Sequence, residues 1–172
     1  MAKKLGFGLM RLPLLDKNDG GSIDIEQMKQ MVDLFIRRRF TYFGTAWMYC
    51  GYQSESAVKP ALTDRYPRDS YTLTTKLHAD YIHSFEDRDK IFKAQLEKTG
   101  VDYFDYYLIH DVGPLHNQVY EQYDCYNWLR EKKEQGLVRH MGFSFHDTAE
   151  FLDKVLTAHP EMEFVQLQLN YL

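Results

Sequence analysis

Residues 102–110 read Asp102-Tyr103-Phe104-Asp105-Tyr106-Tyr107-Leu108-Ile109-His110. The run is aromatic and apolar enough for a strand. Tyr106, Leu108 and His110 fall on one face of an extended chain, so the strand ends on an imidazole. The same form recurs on either side. Tyr71–Leu77 is β-branched and alternating, with Thr72, Thr74 and Lys76 on one face. Leu137–Phe145 runs to Ser144 and is followed by His146, and Phe164–Tyr171 carries Gln166 and Gln168. Upstream, Leu5–Leu12 and Phe40–Phe43 are shorter apolar and aromatic candidates.

Helical patterns separate these runs. Asp24–Arg39 places Ile25, Met28, Val32, Phe35 and Ile36 at helical spacing, and Asp24 followed by Gln27 is a start signal. Ser54–Tyr66 is helical but holds Pro60, which removes a backbone donor and predicts a late start, a kink or a frayed first turn. Ser84–Lys98 carries Ile91, Phe92 and Leu96 and stops at Gly100. His116–Gln135 closes at Gly136. Asp147 with Glu150 forms a capping box for a helix bearing Phe151, Leu152, Val155 and Leu156, ended by His159-Pro160.

The resulting order, βαβαβαβαβαβ, implies a parallel sheet with right-handed crossovers. Two architectures compete. An open dinucleotide-binding sheet would show G-x-G-x-x-G in its first turn; Gly6-Phe7-Gly8 supplies two glycines, but Arg11 stands where the third belongs. No phosphate-binding G-K-[ST] occurs either. Polar groups instead end one strand after another: Lys76, His110, Ser144 with His146, then Gln166 and Gln168. A (β/α)8 barrel assembles its active site at that face from several strands. The expected fold class is therefore α/β, of the (β/α)8 TIM-barrel type, with six strands and five helices. Residues 1–172 read as a single partial domain ending after the sixth strand, because a full barrel takes about 250 residues.

Composition narrows the partners. Lys and Arg number 21 against 25 Asp and Glu in 172 residues, a net charge of −4, so no basic stripe is available for nucleic acid. Arg37-Arg38-Arg39 falls at a helix end, where cations complement the dipole. With 44% hydrophobic and 15% aromatic residues the chain is no disordered segment. No apolar stretch is long enough to span a membrane, and the N-terminus has no secretory pattern. Cys50 and Cys125 form no C-x-x-C pair and fit a reducing cytoplasm. Cys50 reads as a small apolar filler.

The loop after the second strand reads Phe43-Gly44-Thr45-Ala46-Trp47-Met48-Tyr49, continuing Cys50-Gly51-Tyr52-Gln53-Ser54-Glu55. Together with Thr75-Lys76-Leu77, Leu108-Ile109-His110 and Gly142-Phe143-Ser144-Phe145-His146, it resembles the aldo-keto reductases, most closely bacterial NADPH-dependent members. The resemblance runs from Leu5 to Leu172. It implies reduction of small aldehydes or ketones with NADPH in a (β/α)8 barrel. It makes Tyr49 the proton donor, Lys76 the lysine beside it and His110 the histidine that orients the carbonyl. It assigns Ser144 and Gln166 to the nicotinamide, and Gly8 and Met10 to the approach of the cofactor. The chemistry is consistent with ordinary acid–base needs: a phenol of pKa about 10 is a poor acid near neutrality until a nearby ammonium lowers it, and an imidazole N–H polarises a carbonyl.

Two departures stand out. The family carries aspartate where this chain has Gly44, and that carboxylate holds the lysine charged and in place. Glycine withholds it, which should lower the lysine's pKa and cost about 2 to 4 orders of magnitude in rate. The barrel also stops at the sixth strand, before the loops that grip the cofactor phosphates in the family, leaving edge strands whose Phe164, Leu167 and Leu169 invite pairing with another copy. The alternative function is thus a catalytically inactive reductase fragment or remnant without tight cofactor binding. A metal-dependent hydrolase would draw on His110, Asp111, His140 and His146, but no H-x-H follows the first strand, and no metal site is expected.

Overall fold

The computed structural model describes residues 4–168. Strands β1 (Gly6–Gly8), β2 (Tyr42–Gly44), β3 (Thr72–His78), β4 (Phe104–Val112), β5 (Val138–Phe145) and β6 (Phe164–Leu167) follow one another in a single sheet, in the order β1-β2-β3-β4-β5-β6. The β1–β2, β2–β3 and β5–β6 pairs are parallel. Helices α1 (Ile25–Arg37), α2 (Tyr49–Tyr52), α3 (Ser54–Val58), α4 (Phe85–Thr99), α5 (Pro114–Gln122), α6 (Cys125–Glu134) and α7 (Ala149–Ala158) occupy the connections. The α/β class follows as expected from the strand–helix alternation. Leu169–Tyr171, the end of the expected sixth strand, lie outside the described residues.

Seven helices among the described residues replace the expected five. One addition is α2, a four-residue turn with positive φ at Cys50 and Gly51. The other comes from His116–Gln135, which is two helices. The break falls at Tyr123–Asp124, with Asp124 at a φ of +50°. The Arg88 guanidinium donates to the Tyr123 carbonyl, an acceptor that a continuous helix would have used, and also to that of Asp124, which still accepts the Trp128 N–H at 3.0 Å. Neither glycine nor proline marks that break in the sequence.

Pro60 does not delay its helix, which begins at Ser54 as α3; the disturbance it causes takes another form. It sits in the first turn of a π-helical segment, Lys59–Thr63, that continues α3. The wider pairing, closed by the Asp64 N–H on the Lys59 carbonyl at 3.0 Å, makes room for a ring that has no N–H to give. The α7 cap also differs: Thr148 Oγ1 accepts the Phe151 N–H at 3.3 Å, while Asp147 accepts only the adjacent Thr148 N–H at 2.7 Å. By contrast, Asp24 caps α1 as read, accepting the Gln27 N–H at 2.9 Å.

The chain divides into two compact units. Residues up to 75 with 93–104 make the first, and 76–92 with the residues from 105 onward make the second. In the first, Phe7, Phe35 and Phe43 meet with ring centroids 5.1–5.6 Å apart, over a core that includes Met28, Val32, Leu62 and Leu73. A buried polar cluster accompanies it. Glu55 accepts Thr75 Oγ1 at 2.6 Å and Gln95 Nε2 at 2.8 Å, and Thr99 Oγ1 donates to the Gln95 carbonyl at 2.6 Å. In the second unit Phe92, Tyr107 and Trp128 pack edge to face or tilted. There Gly142 pairs with Phe164 so closely that a Cβ on it would fall 2.3 Å from the Phe164 carbonyl oxygen.

Candidate active site

The strand ends of the second unit carry the polar groups. Lys76 and His78 leave β3 on one face by alternation. His110 lies near the end of β4 and Ser144 near the end of β5. All four are buried. Burial, then the positive charge of Lys76, then His78, His146 and His116, hold the His110 imidazole down to about 2. His110 is therefore a neutral ring near pH 7, able to donate one hydrogen bond and unable to serve as a strong acid.

The backbone around it is pinned from several directions. Tyr120 is fully buried; its hydroxyl donates to the His110 carbonyl at 2.5 Å and accepts the Ala79 N–H at 2.9 Å. Asp111, next in the chain, adopts a φ of +52°. Its N–H donates to Ser144 Oγ at 2.8 Å, and its carbonyl accepts from His116 Nδ1 at 2.8 Å. A non-glycine residue in the left-handed region needs such support. The rings of His78 and His110 stand 5.2 Å apart, and those of His78 and His116 4.8 Å apart.

Ser144 and Gln166 are register partners in the β5–β6 ladder, so the two nicotinamide candidates stand side by side. Ser144 is buried and Gln166 exposed. Beyond them, Phe145, His146, Asp147, Leu152, Leu167 and Gln168 line an open cleft of about 460 Å³. The rival metal set does not converge. His140 and His146 are six positions apart along an extended segment, about 20 Å, and His140 Nδ1 is engaged by Glu163 at 2.8 Å. His78, Asp80 and His116 are not site candidates by sequence pattern, although His78 and Asp80 share the i, i+2 spacing that a strand-end turn can bring to one point.

The first unit holds the remaining candidates. Gly44 pairs with Gly8 in β1 and with Thr74 in β3. A Cβ on Gly8 would meet nothing within 4 Å, so the end of β1 offers an open approach. Met10 is half exposed in the loop that follows. Tyr49 opens α2 and is partly buried, which pushes its phenol above the ordinary value. Cys50 Sγ lies 3.4 Å from the Met10 carbonyl oxygen, a polar contact that an apolar filler would not make. Thr74 Oγ1 is buried and has no hydrogen-bond partner among the described residues. Glu55 is no stand-in for the family aspartate: it is committed to the face of β3 from which Thr75 projects, and Lys76 projects from the other.

The model of the aldo/keto reductase family matches residues 4–172. The chain belongs to that family. It is 33% identical over 139 residues to an aldo-keto reductase of Mycolicibacterium vanbaalenii, spanning 79% of this chain and 46% of the relative. To an aldo-keto reductase of Mycobacterium ulcerans it is 34% identical over 120 residues, spanning 69% of this chain and 39% of the relative. The chain thus spans about half the length, or less, of the curated relatives it matches. Its fold superposes on an aldo-keto reductase from Klebsiella pneumoniae in complex with NADPH with a TM-score of 0.73, at 19% identity over 95% of this chain and 53% of that one. An aldo-keto reductase from Bacillus halodurans in its holo form gives a TM-score of 0.72 at 22% identity, covering 96% of this chain and 53% of that one. These likenesses place the aldo/keto reductase chain in the (β/α)8 class that its strand ends imply. No helix among the described residues is long and apolar enough to cross a membrane.

Proposed function

We propose that the protein reduces aldehydes or ketones with NADPH, with Tyr49 as proton donor, Lys76 as the cation that lowers its pKa and His110 as the group that orients the carbonyl. The observation that carries this reading is the burial of Lys76 and His110 together at successive strand ends, in a chain of the aldo/keto reductase family. A neutral His110 suits its role, because a single N–H donated to a carbonyl oxygen polarises it without competing with the phenol as acid.

The residues present fit the nicotinamide end of the cofactor. Ser144 Oγ already accepts the Asp111 N–H, so its own proton is left for a carboxamide oxygen, and Gln166 lies beside it in register. Gly8 leaves its strand end open to a planar ring. When bound, NADPH would supply the hydride to the carbonyl carbon. The phenol of Tyr49 gives its proton to the oxygen as the carbon–oxygen bond becomes single. Lys76 offsets the negative charge left on the phenolate.

A second reading, a family member with little or no turnover, is favoured by two observations: glycine at position 44, and burial that pushes Tyr49 up, away from the range an acid needs near neutrality. NADPH titration followed by fluorescence, with turnover of an aromatic aldehyde, separates the two. The reductase reading expects binding, turnover, and loss of turnover without loss of binding in Tyr49→Phe. Binding with no turnover in either protein supports the second reading, and no NADPH binding at about millimolar concentration, an affinity of only about 4 kcal/mol, refutes the first.

A further inference from the structure

After β3 the chain turns through Ala79–Tyr81 beside the start of α5. The turn and the helix bring His78, Asp80 and His116 together, with one ring nitrogen or carboxylate oxygen from each lying within 4.8 Å of the others. None of the three has a role in carbonyl reduction as proposed above. We propose that they form a binding site for a divalent cation of the zinc type.

The positions of the protons carry the argument. His116 Nδ1 lies 2.8 Å from the Asp111 carbonyl oxygen, which can only accept, so Nδ1 bears the hydrogen and Nε2 presents a lone pair. His78 Nδ1 accepts the Asp80 N–H at 3.2 Å, so it carries no hydrogen; that long bond holds its one lone pair, and a bound ion would take the place of the N–H. The third group is the Asp80 carboxylate. Its Oδ1 stands 3.6 Å from His116 Nε2 and its Oδ2 3.6 Å from His78 Nδ1. Those separations are too long for hydrogen bonds. They are close to the spacing of two ligands on one tetrahedral zinc, which at bond lengths of about 2.0–2.1 Å is about 3.4 Å. One ligand atom from each of the three groups thus lies within 4.8 Å of the other two, so small side-chain rotations bring all three to one ion.

The surroundings have the form of a metal site. The hydrogen bond from His116 Nδ1 to a backbone carbonyl sets the tautomer and ring orientation, as metal-bound histidines usually require. That carbonyl belongs to Asp111, whose backbone Ser144 holds in place. His78 forms a buried wall, while the Asp80 side chain is 65% exposed and gives an ion a path from solvent. Two imidazoles and one carboxylate are the ligand set of open-position zinc sites, and their nitrogens favour zinc or cobalt over magnesium or calcium. The competing arrangement leaves the His116 ring between the carboxylates of Asp80 and Asp111, whose Oδ2 lies 3.5 Å from Nδ1, with no ion.

Zinc chloride titrated into the full chain in chelator-free buffer, by calorimetry and by competition with a chromogenic chelator, tests the site. The expected result is one equivalent bound with Kd about 10 µM or tighter, weakened at least about tenfold by Asp80→Asn and by His116→Gln. Asp80 is exposed, so the first variant keeps the fold, which circular dichroism checks. His140→Gln, remote along β5, should leave binding unchanged. Cobalt(II) should give visible absorption bands that the Asp80 and His116 variants lose. Absence of binding at about 1 mM overturns the proposal, as does binding that neither variant moves. None of these readouts depends on carbonyl reduction.

Discussion

Replacing Gly44 with aspartate restores the carboxylate that the family sets beside its lysine, and the structure allows the size of the effect to be estimated. An ideal Cβ at position 44 meets only Tyr42 Cε1, at 3.6 Å, which is ordinary contact. The register partner is Thr74, so the new side chain leaves the sheet on Thr74's face, and Lys76, two residues further along β3, shares that face. Thr74 Oγ1 is buried without a hydrogen-bond partner among the described residues, and a carboxylate would give it an acceptor. A hydrogen bond to a charged group contributes about 1.5–3 kcal/mol, set against several kcal/mol for desolvating the carboxylate. Stability should therefore change little, or fall slightly. Turnover should rise by about 2 to 4 orders of magnitude, the usual worth of a preorganised electrostatic partner. The assay is the initial rate of NADPH oxidation with an aromatic aldehyde, for the parent, Gly44→Asp and Gly44→Asn. Asparagine fills the same space and reaches Thr74 but brings no charge, so it should recover little of the rate. A folded Gly44→Asp protein no faster than the parent, or no faster than Gly44→Asn, refutes the electrostatic account of Gly44.

Three further outcomes are expected. Gly142→Ala forces a methyl group to within 2.3 Å of the Phe164 carbonyl oxygen, so it should cost about 1–3 kcal/mol and speed proteolysis near β6; an unchanged melting temperature would contradict the close approach. Tyr120→Phe removes the acceptor of the buried Ala79 N–H and the donor to the His110 carbonyl, and should lower the urea midpoint by the equivalent of about 1–3 kcal/mol with the slope unchanged. Asp33 accepts from Arg65 at 2.9 Å and from Tyr66 at 2.6 Å, bonds that hold its carboxyl below 3.8. A carboxyl lowered in the folded state stabilises above its unfolded pKa and ceases to as pH falls through the folded one. Parent and Asp33→Asn should therefore differ by about 1 kcal/mol at neutral pH and converge in acid; a gap that stays the same as the pH falls well below the ordinary carboxylate range would contradict this.

The strand alternation was legible because β3, β4 and β5 are long, apolar and each ends in a polar group. Lys76, His110 and Ser144 fall where that pattern places them. The elements misread are those whose determinants lie outside the local pattern. The break between α5 and α6 depends on Arg88, 35 residues before Tyr123, meeting the freed Tyr123 carbonyl. Glu55 looks like a charged residue at a helix start, yet it is fully buried because Thr75 and Gln95 satisfy it from other elements. The cluster of His78, Asp80 and His116 joins a strand end to a helix nearly forty positions later, and the tautomer that makes it a ligand set is fixed by a backbone carbonyl that no motif records.

The π-turn at Lys59–Thr63 has a bearing on how the length of this chain can vary. A π-turn spends one residue more than an α-helical path over the same distance, so its two ends already stand where a chain shorter by one residue would put them. Loss of Pro60 would leave an ordinary helix running from Ser54, with Leu62 and the bonds of Arg65 and Tyr66 to Asp33 kept in their present setting. The segment is a point at which single-residue insertion and deletion can come and go without disturbing what lies on either side.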